Sequence, residues 1–153
     1  MKRFIVIACL VLGFSVQAKT ENSRPKIKPS GAAISSAHFL ATRAGHEILA
    51  KGGNAFDAAI AVSSVLSVVE PVSSGIGGGG FFLLHDAKTG RDVMVDARET
   101  APASANPAIY LDAKGELDRD KAENGPLSAG VPGLPAGLVH LAKRYGRLSL
   151  SVS

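Results

Sequence analysis

Arg98 is the residue whose type and position most directly suggest chemistry. It stands at the end of a predicted strand and is flanked by Asp96 and Glu99. A guanidinium held there can bind a carboxylate through two parallel hydrogen bonds, because its nitrogens match the carboxylate oxygens. The same residue types also fit an intramolecular salt bridge, and taken alone they favour that simpler role. Both interpretations stay open at this point.

A glycine run from Gly75 to Gly80 formally fits the glycine fingerprint of dinucleotide-binding proteins. In those proteins the motif follows a strand and opens a helix whose N-terminus meets the pyrophosphate. Here a predicted helix precedes the run and a predicted strand follows it, so no helix dipole would point at a phosphate. The pattern instead favours close approach of backbone segments or positive φ angles, which glycine allows.

Other side-chain chemistry is sparse in the sequence. The four histidines are dispersed, and none has a second His or a Cys at the spacing of metal ligands, so we expect no metal. They are His38, His46, His85 and His140. The serine pairs lack the Gly-x-Ser-x-Gly pattern of a nucleophile elbow. Asp118 and Asp120 flank Arg119 and fit a solvated turn.

Composition and charge exclude further classes of protein. The chain has 153 residues, of which 46% are hydrophobic and 20% charged, as in a globular rather than a disordered chain. Lys and Arg total 17 against 13 Asp and Glu, a formal charge of +4, but the basic residues are scattered. A nucleic-acid-binding protein needs a basic stripe to neutralise several phosphates. We therefore expect no nucleic-acid partner.

The first residues have the features of a secretory signal. A positive start, Met1-Lys2-Arg3, precedes an apolar run that is shorter than the roughly 20 residues of a membrane-spanning helix. Small residues up to Ala18 then fit a signal peptidase site. We predict a signal peptide over 1–18 that contains the one cysteine, Cys9, and a mobile linker over 19–30. The mature chain is expected to be periplasmic or secreted, without a stable membrane anchor.

Apolar periodicity predicts the elements that position these residues. Ser35 or Ser36 is expected to cap a first helix that Gly52-Gly53 ends. Asn54 is expected to cap a second helix over 55–69, which is apolar nearly all round and so should be buried between layers. The remaining expected elements are a hairpin of strands 81–85 and 91–97, a short hairpin of 108–111 and 115–117, and a helix from Pro132 to about Tyr145.

Four ordered blocks within residues 31–147 resemble the N-terminal part of the γ-glutamyltranspeptidase family, also called glutathione hydrolases. The resemblance implies that residues 31–153 are an N-terminal fragment of a γ-glutamyltranspeptidase-like domain. The blocks are Ala44-Gly45-His46-Glu47-Ile48-Leu49-Ala50-Lys51-Gly52-Gly53-Asn54-Ala55-Phe56-Asp57-Ala58-Ala59, Gly75-Ile76-Gly77-Gly78-Gly79-Gly80-Phe81, Asp96-Ala97-Arg98-Glu99-Thr100-Ala101-Pro102 and Gly130-Val131-Pro132-Gly133.

The resemblance implies a fold and a reaction. The fold class is α+β, as an incomplete part of the αββα four-layer sandwich of N-terminal-nucleophile hydrolases. The match of Arg98 to the family's arginine implies that it binds the α-carboxylate of the γ-glutamyl group. The family precursor cuts itself into two subunits, and the N-terminal threonine of the small subunit attacks the γ-glutamyl amide of glutathione with its own α-amine as base. No cofactor or metal is implied.

The family's nucleophile block, which begins Thr-x-His, is absent from this sequence. None of the four threonines is followed two residues later by His; they are Thr20, Thr42, Thr89 and Thr100. We therefore expect an N-terminal fragment that is inactive alone and assign it no catalytic residue. Its expected partners are glutathione or other γ-glutamyl compounds and, in a complete enzyme, the small subunit.

Two alternatives stay open. The chain fits a non-catalytic exported piece that binds γ-glutamyl compounds or associates with a complementary chain, since a partial sheet leaves apolar faces and strand edges uncovered. It also fits a fragment of a related cephalosporin acylase, which shares the scaffold.

Overall fold

A computed structural model describes residues 31–153 of the chain. The predicted signal peptide (1–18) and linker (19–30) lie outside the described residues. The elements are α1 (Phe39–Ala50), α2 (Ala55–Val69), α3 (Pro71–Ser74), β1 (Gly80–Asp86), β2 (Arg91–Ala97), a 3₁₀ turn (Pro107–Tyr110), α4 (Arg119–Glu123), a second 3₁₀ turn (Pro126–Ser128) and α5 (Leu134–Arg144).

The N-cap of α1 is His38, and the prediction of Ser35 or Ser36 was wrong. The His38 side chain accepts a hydrogen bond from the backbone N–H of Leu40, with 3.2 Å between the nitrogens. The Ser36 hydroxyl is bonded instead to the His38 carbonyl and to the Thr42 hydroxyl. The predicted end is confirmed, since Gly52 follows the helix at φ +90°, a conformation that glycine adopts without strain.

Helix α2 begins at a capping box formed by Asn54 and Asp57. The Asn54 side chain accepts from the backbone N–H groups of Phe56 and Asp57, and the Asp57 carboxylate accepts from the backbone N–H of Asn54. Such a cap stabilises a helix by about 1 kcal/mol. The helix ends before Pro71, as predicted, because the residue before proline is disfavoured in the helical conformation.

Helix α2 is less completely buried than the sequence predicted. Ala58, Ile60 and Ala61 are buried, where α2 packs against α1 and α5. Towards its C-terminal end the covering is incomplete, and Val68 is 77% exposed. The apolar pattern therefore predicted a buried helix, but among the described residues only its N-terminal half is well covered.

The predicted central hairpin is confirmed, with an antiparallel register that pairs Phe82 with Val95 and Leu84 with Val93. These four side chains contact a core formed by residues of α2 and α5: Ile60, Leu138 and Leu141. The opposite face of the hairpin carries exposed apolar side chains such as Leu83 and Met94. The described residues thus supply one helix layer on one face of a two-stranded sheet, as expected for an incomplete sandwich.

The predicted short hairpin around residues 112–115 forms only in part. Residues Pro107–Tyr110 are a 3₁₀ turn rather than a strand, because Asn106 caps them and Pro107 lacks a donor for a ladder. A single bridge joins Leu111 to Leu117. Within residues 31–153, no helix is long and apolar enough to cross a membrane.

Candidate functional site

The backbone at Arg98 is fixed immediately after strand β2 ends. Ala97 is buried, and the Arg98 N–H donates to the Asp96 carboxylate at 3.0 Å. Two residues later, Thr100 and Val131 exchange backbone hydrogen bonds of 3.1 and 2.8 Å. The position of Arg98 therefore depends on contacts made on both sides of it.

Two glycines pack directly against this backbone. A Cβ on Gly79 would lie 2.6 Å from the Ala97 carbonyl oxygen and 2.8 Å from the Arg98 Cα. A Cβ on Gly133 would meet the carbonyl oxygens of Ala97 and Arg98. The prediction that the glycine run allows close backbone approach is confirmed at Gly79, whereas a Cβ on Gly77 would lie in open space.

The Arg98 side chain is 61% exposed and contacts two neighbours. Its Nε donates to Glu99 Oε2 at 3.2 Å. Its guanidinium carbon lies 5.7 Å from the centroid of the Phe81 ring. Within residues 31–153, its terminal nitrogens Nη1 and Nη2 make no hydrogen bond to a protein acceptor. The guanidinium is thus held through one nitrogen and one face, and its terminal edge stays accessible.

Glu99 is a carboxylate whose charged form is favoured. Its own backbone N–H and the Arg98 side chain hold the pKa of Glu99 below the ordinary value of 4.5. The salt bridge considered from sequence therefore exists, but it occupies only Nε and leaves Arg98 exposed. A salt bridge and a role in carboxylate binding are compatible in this geometry.

Arg98 and Glu99 line an open cleft of about 550 Å³. Its other walls come from the loop 100–102, from Tyr110 and from the segment 127–130. The Tyr110 hydroxyl donates to the Leu127 carbonyl at 2.8 Å and joins two of these walls. A guanidinium at such a cleft can bind a small carboxylate by two parallel hydrogen bonds.

Of the other residues considered from sequence, Thr100 and Gly77 line this cleft, whereas His85, Asp118 and Thr42 do not. His85 pairs with Asp92 at 2.7 Å on the exposed face of the hairpin. Asp118, predicted in a solvated turn, caps the short helix α4 and accepts from the Lys121 N–H, which lowers the pKa of Asp118. Thr42 lies in α1.

For two residues, the sequence did not indicate contacts that the structure shows. Asp57 is fully buried and receives backbone N–H donors from Arg147 and Leu148, far along the chain. Phe81 contacts the Arg98 guanidinium, although its strand position suggested only a core side chain. The sequence signal that could have indicated this contact is the position of Phe81 in the strand that pairs with β2, which sets Phe81 opposite Asp96.

Comparisons with known proteins identify a family model and relatives that match this chain. The family model described as gamma-glutamyltranspeptidase matches residues 41–153. The glutathione hydrolase proenzyme of Bacillus subtilis subsp. natto is 41% identical over 120 residues, covering 78% of this chain and 20% of that relative. The chain therefore spans about a fifth of the length of the curated relatives it matches.

Solved structures also match this chain. The crystal structure of Helicobacter pylori γ-glutamyltranspeptidase matches with a TM-score of 0.76 at 43% identity, covering 82% of this chain and 36% of that chain. A cephalosporin acylase from Bacillus halodurans matches with a TM-score of 0.58 at 31% identity, covering 82% and 25%. The α+β class, as part of an αββα sandwich, is confirmed by these neighbours.

Proposed function

The chain belongs to the γ-glutamyltranspeptidase family, and from that premise we propose that it supplies the carboxylate-binding arginine of a γ-glutamyltransferase or glutathione hydrolase. In this proposal Arg98 binds the α-carboxylate of the γ-glutamyl group, and the residues around it belong to the large subunit. The reaction is cleavage of the γ-glutamyl amide of glutathione or a similar compound, with transfer to water or an amino acid.

One observation carries the proposal. The Arg98 guanidinium stands exposed at a cleft, with Nε bonded to Glu99 and without a protein acceptor on its terminal nitrogens within residues 31–153. Two parallel N–H donors are the arrangement that binds a carboxylate most specifically.

In this proposal none of the four threonines of the chain is the nucleophile. In the whole enzyme a small subunit provides it, and no metal or cofactor takes part. We also propose export through residues 1–18, which places the protein in the periplasm or outside the cell. A non-catalytic role in binding γ-glutamyl compounds rests on the same arginine. The lower identity to the acylase favours γ-glutamyl chemistry.

A chimaera tests the proposal. The matching segment of the Bacillus subtilis subsp. natto proenzyme is replaced by the corresponding residues of this chain, and hydrolysis of γ-glutamyl-p-nitroanilide is measured. We expect turnover, and we expect Arg98→Lys to raise KM about 10-fold or more because lysine cannot form the paired contact. Arg119→Lys is the matched control, since Arg119 is an exposed arginine of α4. An unchanged KM in Arg98→Lys would contradict the proposal.

A further inference from the structure

We propose that Phe81 is a positioning residue for Arg98, holding the guanidinium so that its terminal nitrogens face a substrate carboxylate. This inference rests on the proposed function of Arg98. It concerns the aromatic ring that the guanidinium contacts, which no motif of the sequence singled out for this role.

The register of the hairpin places the ring. Phe81 pairs with Asp96, two residues before Arg98, and the backbone at Arg98 is fixed by the Asp96 carboxylate. The ring centroid lies 5.7 Å from the guanidinium carbon. That distance is within the range of an attractive cation–π contact, which arises from the negative face of the aromatic ring.

The exposure of the two side chains explains why such a contact matters. Arg98 is 61% exposed, and an exposed arginine otherwise samples many rotamers. Phe81 is 57% exposed, so its ring is not needed to fill the core between the hairpin and α5. Its face supplies a surface against which the guanidinium is restrained.

The contact with Glu99 completes the restraint. Glu99 Oε2 accepts a hydrogen bond from the Arg98 Nε at 3.2 Å, and the ring of Phe81 lies beneath the guanidinium carbon. One edge and one face are thereby occupied. The two nitrogens that remain, Nη1 and Nη2, can form two parallel hydrogen bonds with a carboxylate.

The test uses three variants of the purified chain. Phe81→Leu removes the π face, Phe81→Tyr retains it, and Leu83→Ala changes another exposed apolar residue on the same strand face. The first readout is the NMR signal of the Arg98 Nε–H group, whose shift and order report the ring without any ligand. We expect only Phe81→Leu to lose the change in chemical shift that the aromatic ring causes at the Arg98 Nε–H and to lower the order of the Arg98 side chain.

The second readout is the KM of the same variants in the chimaera. We expect Phe81→Leu to raise KM for γ-glutamyl-p-nitroanilide about three-fold with kcat nearly unchanged, and Phe81→Tyr to restore it. An Arg98 signal that is identical in wild type and Phe81→Leu would overturn the inference, whatever the kinetics. Equal KM values in Phe81→Leu and wild type would overturn it too. Failure of the proposed function is a separate result, namely an Arg98→Lys variant with an unchanged KM.

Discussion

The backbone N–H of Arg147 donates a bifurcated hydrogen bond to both carboxylate oxygens of Asp57, at 3.1 and 3.0 Å, across 90 residues of sequence. Asp57 opens helix α2, and Arg147 follows helix α5. A cap residue of one helix thus also fixes the chain that leaves another helix. The Asn54 side chain adds to this connection by donating to the Tyr145 carbonyl at 2.7 Å.

Replacement of Asp57 is expected to destabilise the fold strongly. Asp57→Ala removes a fully buried carboxylate and leaves the backbone N–H groups of Asn54, Arg147 and Leu148 without their acceptor, which we expect to cost about 3 kcal/mol of unfolding free energy. Urea unfolding measures this loss. Asp92→Ala is the control, because Asp92 is an exposed carboxylate, and its variant should change stability by less than about 1 kcal/mol. Equal losses in both variants would refute a structural role for Asp57.

Gly133 is expected to tolerate no side chain. In Gly133→Ala the new Cβ would meet the carbonyl oxygens of Ala97 and Arg98, so we expect a loss of about 2 kcal/mol or more and a displaced Arg98. Thermal unfolding measures the loss, and the Arg98 NMR signal reports the displacement. Gly77→Ala, whose Cβ would lie in open space, should change stability by no more than about 0.5 kcal/mol. A Gly133→Ala variant as stable as Gly77→Ala would show that this packing is wrong.

Local sequence signals predicted most of the elements. Asn54 with Asp57, Gly52 and Pro71 each act through a few neighbouring residues, so the limits of α2 and the end of α1 followed from residue type. The prediction of Ser35 or Ser36 as the N-cap of α1 was wrong, because the cap is His38 and the Ser36 hydroxyl is bonded to the His38 carbonyl and the Thr42 hydroxyl. The prediction that all of α2 is buried was wrong, because burial depends on which other elements pack against the helix.

The candidate site was predictable only in part. Residue type and a family motif identified Arg98, and the glycine run indicated a close backbone approach. Neither signal could show that Gly79 and Gly133 contact the same backbone, or that Phe81 lies beneath the guanidinium. Those contacts join segments distant in sequence, and the hairpin register that creates them is a property of the folded chain.

The Glu99 carboxyl is expected to titrate at a lower pH than a free glutamate. Its own backbone N–H is the larger cause of the lowered pKa, and Arg98 is the second, so Arg98→Gln should raise that pKa only part of the way towards 4.5. Because the folded-state pKa is depressed, the stabilisation is present above pH 4.5 and is lost as the pH falls through the folded-state pKa.

Titration of the side-chain carboxyl carbons by NMR follows this change. Asp118 is the internal control, because the Lys121 backbone N–H is the main cause of its lowered pKa and Arg98 takes no part in it. An Arg98→Gln variant in which the two carboxyls shift alike, or in which Glu99 does not shift, would refute the Arg98–Glu99 contact.

The chain alone is expected to release no p-nitroaniline from γ-glutamyl-p-nitroanilide. An N-terminal threonine nucleophile needs a free α-amine as its base, and every threonine here lies within the chain. Thr100, next to the candidate arginine, donates its backbone N–H to the Val131 carbonyl at 3.1 Å, and the Thr89 hydroxyl donates to Asp86 at 3.0 Å. Absorbance of the released aniline measures turnover, with the chimaera as positive control. Release by the purified chain that disappears in Arg98→Lys would refute this prediction, because it would require a nucleophile among these residues.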